Sequence, residues 1–296
     1  MELHQLRSFY YVATYLNFSR AAEKLLVSQP AVSRQIEALE RLYGLPLFYR
    51  SKKKVELTPA GRELLTYAKK MMTLAEDAKE ALLTLKNGDS GELHVGCGTT
   101  IGNFAITALV VHFQKKYPNI HIHLDIDNTD TIINKLNERK LDVAIIAKDV
   151  DREAFNVDSL FQDNIHLVCL AEEMQKYKQS QSLDQLENET YILRKRGSHT
   201  RECVDEYFKT MNFQPQNIIE VNNNEAIKQA VIQKLGVGFL SSITYKIERE
   251  HQILRQIRLQ KPSKREFSFI YPKGKYYSTV MEMFHTFLKD NMSKIT

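Results

Sequence analysis

The sequence predicts a multidomain chain: an all-α helix-turn-helix module, then one long helix, then an α/β domain. Three observations carry that prediction. Residues 1–44 hold three short helical apolar patterns broken at a tight Val27-Ser28-Gln29 junction, and residues 59–87 hold one uninterrupted heptad seam. From Gly91 onward short apolar strands alternate with helical patterns, as a largely parallel sheet with crossover helices requires.

Leu3, Leu6, Phe9, Ala13 and Leu16 recur at steps of three and four, the buried stripe of a first helix that Asn17 ends. Ser19 is placed to cap a second helix facing inward through Ala22, Leu25 and Leu26. Ser28 is placed to cap a third, with Pro30 in its first turn, where the missing N–H has no helical partner in any case. Val32, Ile36 and Leu39 then point to the core, Gln29, Ser33, Arg34 and Glu37 point outward, and Gly44 closes the helix. Residues 47–57 read as two short strands around the basic turn Lys52-Lys53-Lys54. Thr58 as cap and Pro59 at the first helical position start the long helix. Its Leu64, Ala68, Met71, Ala75, Ala78, Leu82 and Leu85 alternate steps of four and three, a seam along a rod of about 40 Å that implies a dimer.

In the remainder, strands are expected at 93–96, 120–126, 142–146, 165–170, 191–193, 218–221 and 267–271. Helices are expected at 103–117, 131–139, 198–211, 224–234 and 278–289. No internal repeat or low-complexity segment interrupts them.

The 296 residues suit about two domains, and 43% hydrophobic content supports real cores. No apolar run reaches the roughly 18 residues of a membrane span, and the first residues lack a signal-peptide pattern, so a cytoplasmic protein without a membrane partner is expected. Cys97, Cys169 and Cys203 are scattered and form no Cys-x-x-Cys pair, against a structural zinc site or a dithiol redox motif. Net charge is +5, and its distribution is uneven. Residues 1–58 carry nine basic and five acidic side chains, residues 59–90 five of each, and residues 91–296 carry 27 and 26. The excess sits with the helix-turn-helix, which points to a polyanion partner there.

Double-stranded DNA is that partner on the residue types alone. Arg34 and Gln29 carry planar donor groups able to read guanine or adenine edges from a helix in the major groove. The lysines of the basic turn offer point charges to phosphates.

The chain resembles a full-length LysR-type transcriptional regulator. The resemblance is most specific in Leu6-Arg7-Ser8-Phe9, Phe18-Ser19-Arg20-Ala21-Ala22-Glu23-Lys24-Leu25, Ser28-Gln29-Pro30-Ala31-Val32-Ser33-Arg34-Gln35-Ile36, Gly44-Leu45-Pro46-Leu47-Phe48 and Leu57-Thr58-Pro59-Ala60-Gly61. It is looser in Gly91-Glu92-Leu93-His94-Val95-Gly96, Leu141-Asp142-Val143-Ala144-Ile145 and Gly236-Val237-Gly238-Phe239-Leu240. It implies a winged helix-turn-helix at 1–58, a dimerising linker helix at 59–88 and an effector domain of periplasmic-binding-protein type at 89–296. That domain would have one lobe at about 91–161 and 266–296, and the other at about 162–265, with a ligand cleft between them. In that family the positions of Gln29, Pro30, Ser33 and Arg34 commonly face DNA, and together with Ser28, Arg50, Lys52, Lys53 and Lys54 they make up the expected DNA-contacting set. The family also implies a homotetramer built from dimers, an interrupted palindrome in promoter DNA, and RNA polymerase as a candidate partner.

For the effector, small polar residues at helix N-termini are the physical candidates, because free N–H groups and the helix dipole favour an anion. Thr99 and Thr100 follow the first strand, and Ser198, His199 and Thr200 follow Arg194-Lys195-Arg196. A small anionic metabolite or oxyanion is expected, although ordinary capping accounts for Thr99, Thr100 and Ser198 equally well. Gly197-Ser198-His199-Thr200-Arg201 resembles the family's Gly-Ser-Gly-Thr-Arg turn, with His in place of the second Gly. Peroxide-sensing members use two cysteines in this region, whereas only Cys203 is present here. His121 and His123 share a strand face without an evident third ligand, so no metal site is expected. Gly96-Cys97-Gly98 lacks the third glycine of a dinucleotide loop, and no cofactor is expected. No nucleophile-base pattern stands out. The reading is a ligand-responsive DNA-binding regulator; the competing one is an enzyme acting on a small carboxylate, with an accessory DNA-binding domain.

Overall fold

In the computed structural model, which describes residues 1–50, 54–87, 90–179, 182–259 and 263–292, the chain divides into two units, Met1–Leu82 and Leu83–Thr296. The first unit is helical, as the periodicity demands. Helix α1 (Leu3–Tyr15) buries Leu6, Phe9, Val12 and Ala13. Leu3 and Leu16, expected on that stripe, are exposed, because the stripe turns through Val12 and Leu16 is the left-handed residue that ends the helix. Helix α2 (Phe18–Leu25) is capped by Asn17, whose side chain accepts the N–H of Arg20; Ser19, the expected cap, lies inside the first turn. Ala21 and Ala22 are its buried residues, and Leu26 is 92% exposed because it too is a left-handed helix end. Helix α3 (Gln29–Tyr43) follows Ser28, buries Val32, Ile36 and Leu39, and stops at Gly44 with φ 64°.

Strands β1 (Phe48–Arg50) and β2 (Val55–Leu57) pair antiparallel. The 29-residue helix α4 (Pro59–Asn87) begins under Thr58, whose hydroxyl accepts the N–H of Gly61 at 3.0 Å and donates to the Pro46 carbonyl at 2.6 Å. A Cβ on Gly61 would lie 2.1 Å from the Leu47 carbonyl oxygen. Glycine there lets α4 press against the approach to β1. Leu64, Leu65, Ala68 and Met72 of α4 complete a core with Phe9, Ile36, Leu39 and Phe48, each fully buried large side chain being worth about 1.5–3 kcal/mol.

The second unit opens with β3 (Gly91–Gly98), a one-turn helix α5 (Thr99–Ile101), a π turn at Gly102–Ile106, and α6 (Thr107–Lys116). The sequence predicts a single helix only over 103–117 of this stretch. The π turn coincides with Gly102, which sits so close to Ile126 that a Cβ would meet its side chain at 2.9 Å. Then come β4 (Ile120–Asp127), α7 (Thr129–Asn137), β5 (Val143–Ile146), the 16-residue β6 (Phe155–Leu170), α8 (Met174–Tyr177), β7 (Thr190–Arg194), α9 (His199–Thr210) and β8 (Asn217–Val221). Helix α10 (Asn224–Ile232), β9 (Val237–Ser241), α11 (Lys246–Glu250), β10 (Leu254–Ile257), β11 (Ser263–Pro272) and α12 (Thr279–Met292) finish it.

Among the described residues the strands form one mixed sheet in the order β4-β3-β5-β11-β6-β9-β7-β8, with β10 on the far half of β6. Pairing is parallel for β4-β3-β5 and for β9-β7-β8, and antiparallel where β11 and β6 join the halves. Two lobes result. One has its main core around Val95, Phe113, Ile145, Phe269 and Phe284, the other around Leu167, Tyr191, Phe208 and Phe239. The long strands β6 and β11 pair from Phe155↔Pro272 to Ile165↔Ser263, with one break in register between Phe267 and Ser268. Residues 161–164 and 264–267 pair with each other and bridge the lobes. The strands expected from the sequence, 165–170 and 267–271, cover only the far parts of β6 and β11.

Candidate functional site

The first unit presents an exposed polar face on α3. Ser28, Gln29, Pro30 and Arg34 are exposed and Ser33 is half-buried, while Val32 and Ile36 are held in the core. Helical spacing alone produces that split. Gln29 donates from Nε2 to the Ser33 hydroxyl at 2.9 Å, and Arg34 donates from Nε to the Pro30 carbonyl at 3.4 Å. Both planar groups are thereby oriented by their own helix. Lys54 is exposed at the start of β2 and pairs with Glu56. Lys52 and Lys53 lie outside the described residues, as does the side chain of Arg50, whose backbone ends β1.

In the second unit a cleft of about 70 Å³ opens at the C-terminal ends of the parallel strands, where open α/β sheets bind ligands. That is several times the minimum needed to admit one water, the scale of a small oxyanion or carboxylate. Thr99, Thr100, Ser198, His199 and Thr200 all line it, so the two separated segments singled out in the sequence converge. Gly98, Asn128, Thr129, Lys195 and, above all, Arg194 and Arg265 line it too. Among the described residues no carboxylate lines it.

The hydrogen bonds show how these residues are held. Arg194, the last residue of β7, donates from Nη1 to Asn224 Oδ1 at 3.2 Å, and Asn224 donates from Nδ2 to the Thr100 hydroxyl at 3.5 Å. This chain crosses from one lobe to the other. Arg265 on β11 donates from Nε to Asp163 at 2.9 Å and from Nη1 to the Thr200 hydroxyl at 2.9 Å. Asp163 also accepts from Ser241 and Ser242, so the carboxylate is anchored by two hydroxyls and a guanidinium. Arg194 Nε and Arg265 Nη2 are buried with no protein partner among the described residues. Such orphaned donors are costly unless something accepts from them. Burial, then the like charge of Arg265, lowers the pKa of Arg194.

Ser198 takes the N-cap position of α9 without a side-chain capping bond, so capping does not occupy its hydroxyl. His199 sits in the first turn of α9, with Nδ1 3.2 Å from Glu202 and Nε2 3.5 Å from the Cys203 sulfur. Burial lowers its pKa against the opposing pull of Glu202. Burial likewise raises the pKa of the Cys203 thiol, which favours the thiol over the reactive thiolate. Arg201 faces away from ligand duty: it binds Asp205, Glu220 and the Arg194 carbonyl and so braces the turn.

Arg265 and Asn224 carried no signal in the sequence, because each lies far along the chain from the loops it serves. Arg194 did carry one, a cation ending an otherwise apolar strand.

A helix-turn-helix with a two-stranded wing and a long helix, followed by a two-lobed α/β body with a polar cleft, defines a two-part DNA-binding regulator. The family described as the bacterial regulatory helix-turn-helix protein, lysR family, matches residues 3–62, and the LysR substrate binding domain matches residues 86–293. The chain belongs to the LysR family of transcriptional regulators. It is 30% identical over 300 residues to the RuBisCO operon transcriptional regulator of Allochromatium vinosum, covering 100% of this chain and 98% of that one. In fold it is similar to a full-length OxyR variant from Pseudomonas aeruginosa, with TM-score 0.74, 24% identity, and coverage of 98% of this chain and 95% of that one. It is also similar to the CcmR regulatory domain of Synechocystis PCC6803 in complex with 2-PG, with TM-score 0.60, 24% identity, and coverage of 68% of this chain and 97% of that one. Relatives by sequence are named as transcriptional regulators, which sets aside the competing reading of an enzyme. No helix among the described residues is long and apolar enough to cross a membrane.

Proposed function

We propose that this regulator controls transcription from promoter DNA in response to a small anion held between Thr99-Thr100 and Arg194–Thr200, in the cytoplasm of a bacterium. One observation carries the proposal. Two buried guanidinium groups, each with one donor lacking a protein partner among the described residues, belong to the residues that line a cleft with no carboxylate among its described lining residues. A phosphate or carboxylate would accept from Arg194 Nε and Arg265 Nη2 and from the small polar residues at the start of α9. The CcmR domain, a relative in fold, holds 2-PG (2-phosphoglycolate), an anion of that kind.

The response is a population shift. Arg194 belongs to one lobe, Thr100 to the other, and Arg265 to the strand between, so an anion touching all three favours whichever lobe arrangement brings them closest. It can do so only through its differential affinity for the two arrangements. On the DNA side we assign base reading to Gln29, Ser33 and Arg34, backbone contact to Ser28 and Pro30, and phosphate contact to Arg50, Lys52, Lys53 and Lys54. The linker helix at 59–88 would pair two chains, and contacts of the 89–296 domains would assemble a tetramer. RNA polymerase would meet that assembly at the promoter.

The test is thermal melting of the full-length protein against inorganic phosphate, sulfate, 2-phosphoglycolate and small mono- and dicarboxylates. A ligand at about 100 times its Kd adds about 2.7 kcal/mol of stability, an easily read rise in the melting midpoint. At least one anion is expected to give that rise, and Arg194→Met is expected to abolish it. A rise with uncharged ligands only, or one untouched by Arg194→Met, would overturn the assignment.

A further inference from the structure

The strands β3 and β4 run parallel in register, with Glu92 opposite His121 and His94 opposite His123. Strand alternation puts all four side chains on one face of the sheet. The rings of His94 and His123 stack with centroids 4.5 Å apart and planes at 10°. His123 Nε2 lies 3.7 Å from a Glu92 carboxylate oxygen. One ligand atom from each of Glu92, His94 and His123 falls within 4.8 Å of the other two. His121 is not in this group; both partners of His123, Glu92 and His94, come from the neighbouring strand, whose register the sequence does not reveal.

We propose that Glu92, His94 and His123 form a binding site for a divalent transition-metal ion of the Zn²⁺ class, separate from the effector cleft. Two imidazoles and one carboxylate are a borderline nitrogen and oxygen donor set that suits Zn²⁺, Co²⁺ and Ni²⁺ over Ca²⁺ or Mg²⁺. Three protein ligands leave a further position to water, which the exposed face supplies. Bonds of about 2.0–2.2 Å require the donors to close in. The side chains of His123 and Glu92 are 55% and 66% exposed, so both can swing without unpacking the core. His94 is the fixed member: it is half-buried on a strand paired on both sides, and its backbone N–H donates to Asp142 at 2.7 Å. The edge position of β4 leaves His123 open to solvent. From His94 to Thr99 the strand climbs about 16 Å at roughly 3.3 Å per residue, so the metal and the anion would occupy opposite ends of β3.

The experiment is a Zn²⁺ titration of the full-length protein against a chromophoric chelator, with Co²⁺ absorption and the metal-induced shift in melting midpoint as second readouts. The chain holds nine histidines, so location has to be read together with affinity. Loss of an outer-shell partner already costs about 10–100-fold in metal affinity, so His94→Ala and His123→Ala should each weaken the site at least that much. Glu92→Gln should weaken it less, and the exposed His251→Ala and the α9 variant Cys203→Ser should leave it unchanged. Because His123 is exposed, His123→Ala should melt like the wild type without metal and lose only the metal-induced shift. Three outcomes would overturn the proposal: no Zn²⁺ binding, binding unaltered in the His94 and His123 variants, or a thiolate-to-cobalt charge-transfer band that vanishes in Cys203→Ser. The last would place the ion at the Cys203 and His199 pair, whose donor atoms are 3.5 Å apart.

Discussion

Arg265 and Arg194 line the same cleft, yet their local energetics are opposite. Arg265 is paired with Asp163, and the two side chains are 4% and 0% exposed. Removing one partner of a buried ion pair strands the other, at about 3–5 kcal/mol. Arg265→Met should therefore lower unfolding free energy by about that amount, read by denaturant unfolding through a probe in the second unit. Arg194 has a neutral amide partner, and burial and a like charge work against its ionised form. Arg194→Met should leave stability unchanged or raise it, while removing the anion response. Equal losses in the two variants would show that both arginines are structural. At this scale the sequence disclosed residues whose placement follows from position on one element, such as Gln29 and Arg34 outward from a helix. It could not disclose Arg265 or Asn224, whose role comes from long-range pairing.

At the scale of elements, α3 is the part whose chemistry is most local. Gln29, Ser33 and Arg34 are arranged by one turn of helix, so base discrimination and phosphate attraction can be separated by mutation. Arg34→Ala should reduce discrimination between cognate and scrambled promoter DNA by about 1–3 kcal/mol. Lys54→Ala should weaken both complexes alike and lower the salt slope by about one. Binding isotherms at several salt concentrations distinguish these, and the reverse pattern would exchange the two roles. Helices with strong periodicity were legible almost to the residue, α3 among them. Caps were less so, since Asn17 and Ser19 are both good N-cap residues and only the chain direction out of Leu16 selects between them. The strands β6 and β11 were legible only in their apolar halves.

For the whole molecule, α4 is the element that the first unit leaves partly unsatisfied. Its early seam residues Leu64 and Ala68 pack into the core, whereas Met71, Leu74 and Leu82 are 40%, 66% and 68% exposed. Apolar residues repeating along an exposed helix call for a partner helix. Replacing Met71 and Leu82 together by Glu should halve the assembly in sedimentation, leaving no species larger than a dimer held through the 89–296 domains. Promoter affinity should fall by about 10²–10⁴-fold, as expected when two linked reading heads become independent. A tetramer that survives the double variant would move the pairing surface elsewhere. This requirement could be read in the sequence because a seam is a spacing.

The two lobes are joined by strands that are hydrogen-bonded to each other, and this restricts how they can move. A pair of free tethers would allow swivel, slide and tilt. A two-stranded ribbon resists all three and yields mainly by bending across its own width. Opposite Phe267 and Ser268, Leu160 on β6 has no partner in the register, and such a bulge bends the ribbon there. That gives it a crease. Anions of different size would then open or close the jaws along the same arc, to different degrees. The DNA-bound assembly would receive from every such ligand one message at varying strength, so the chemical identity of the signal would be erased before it reached the promoter.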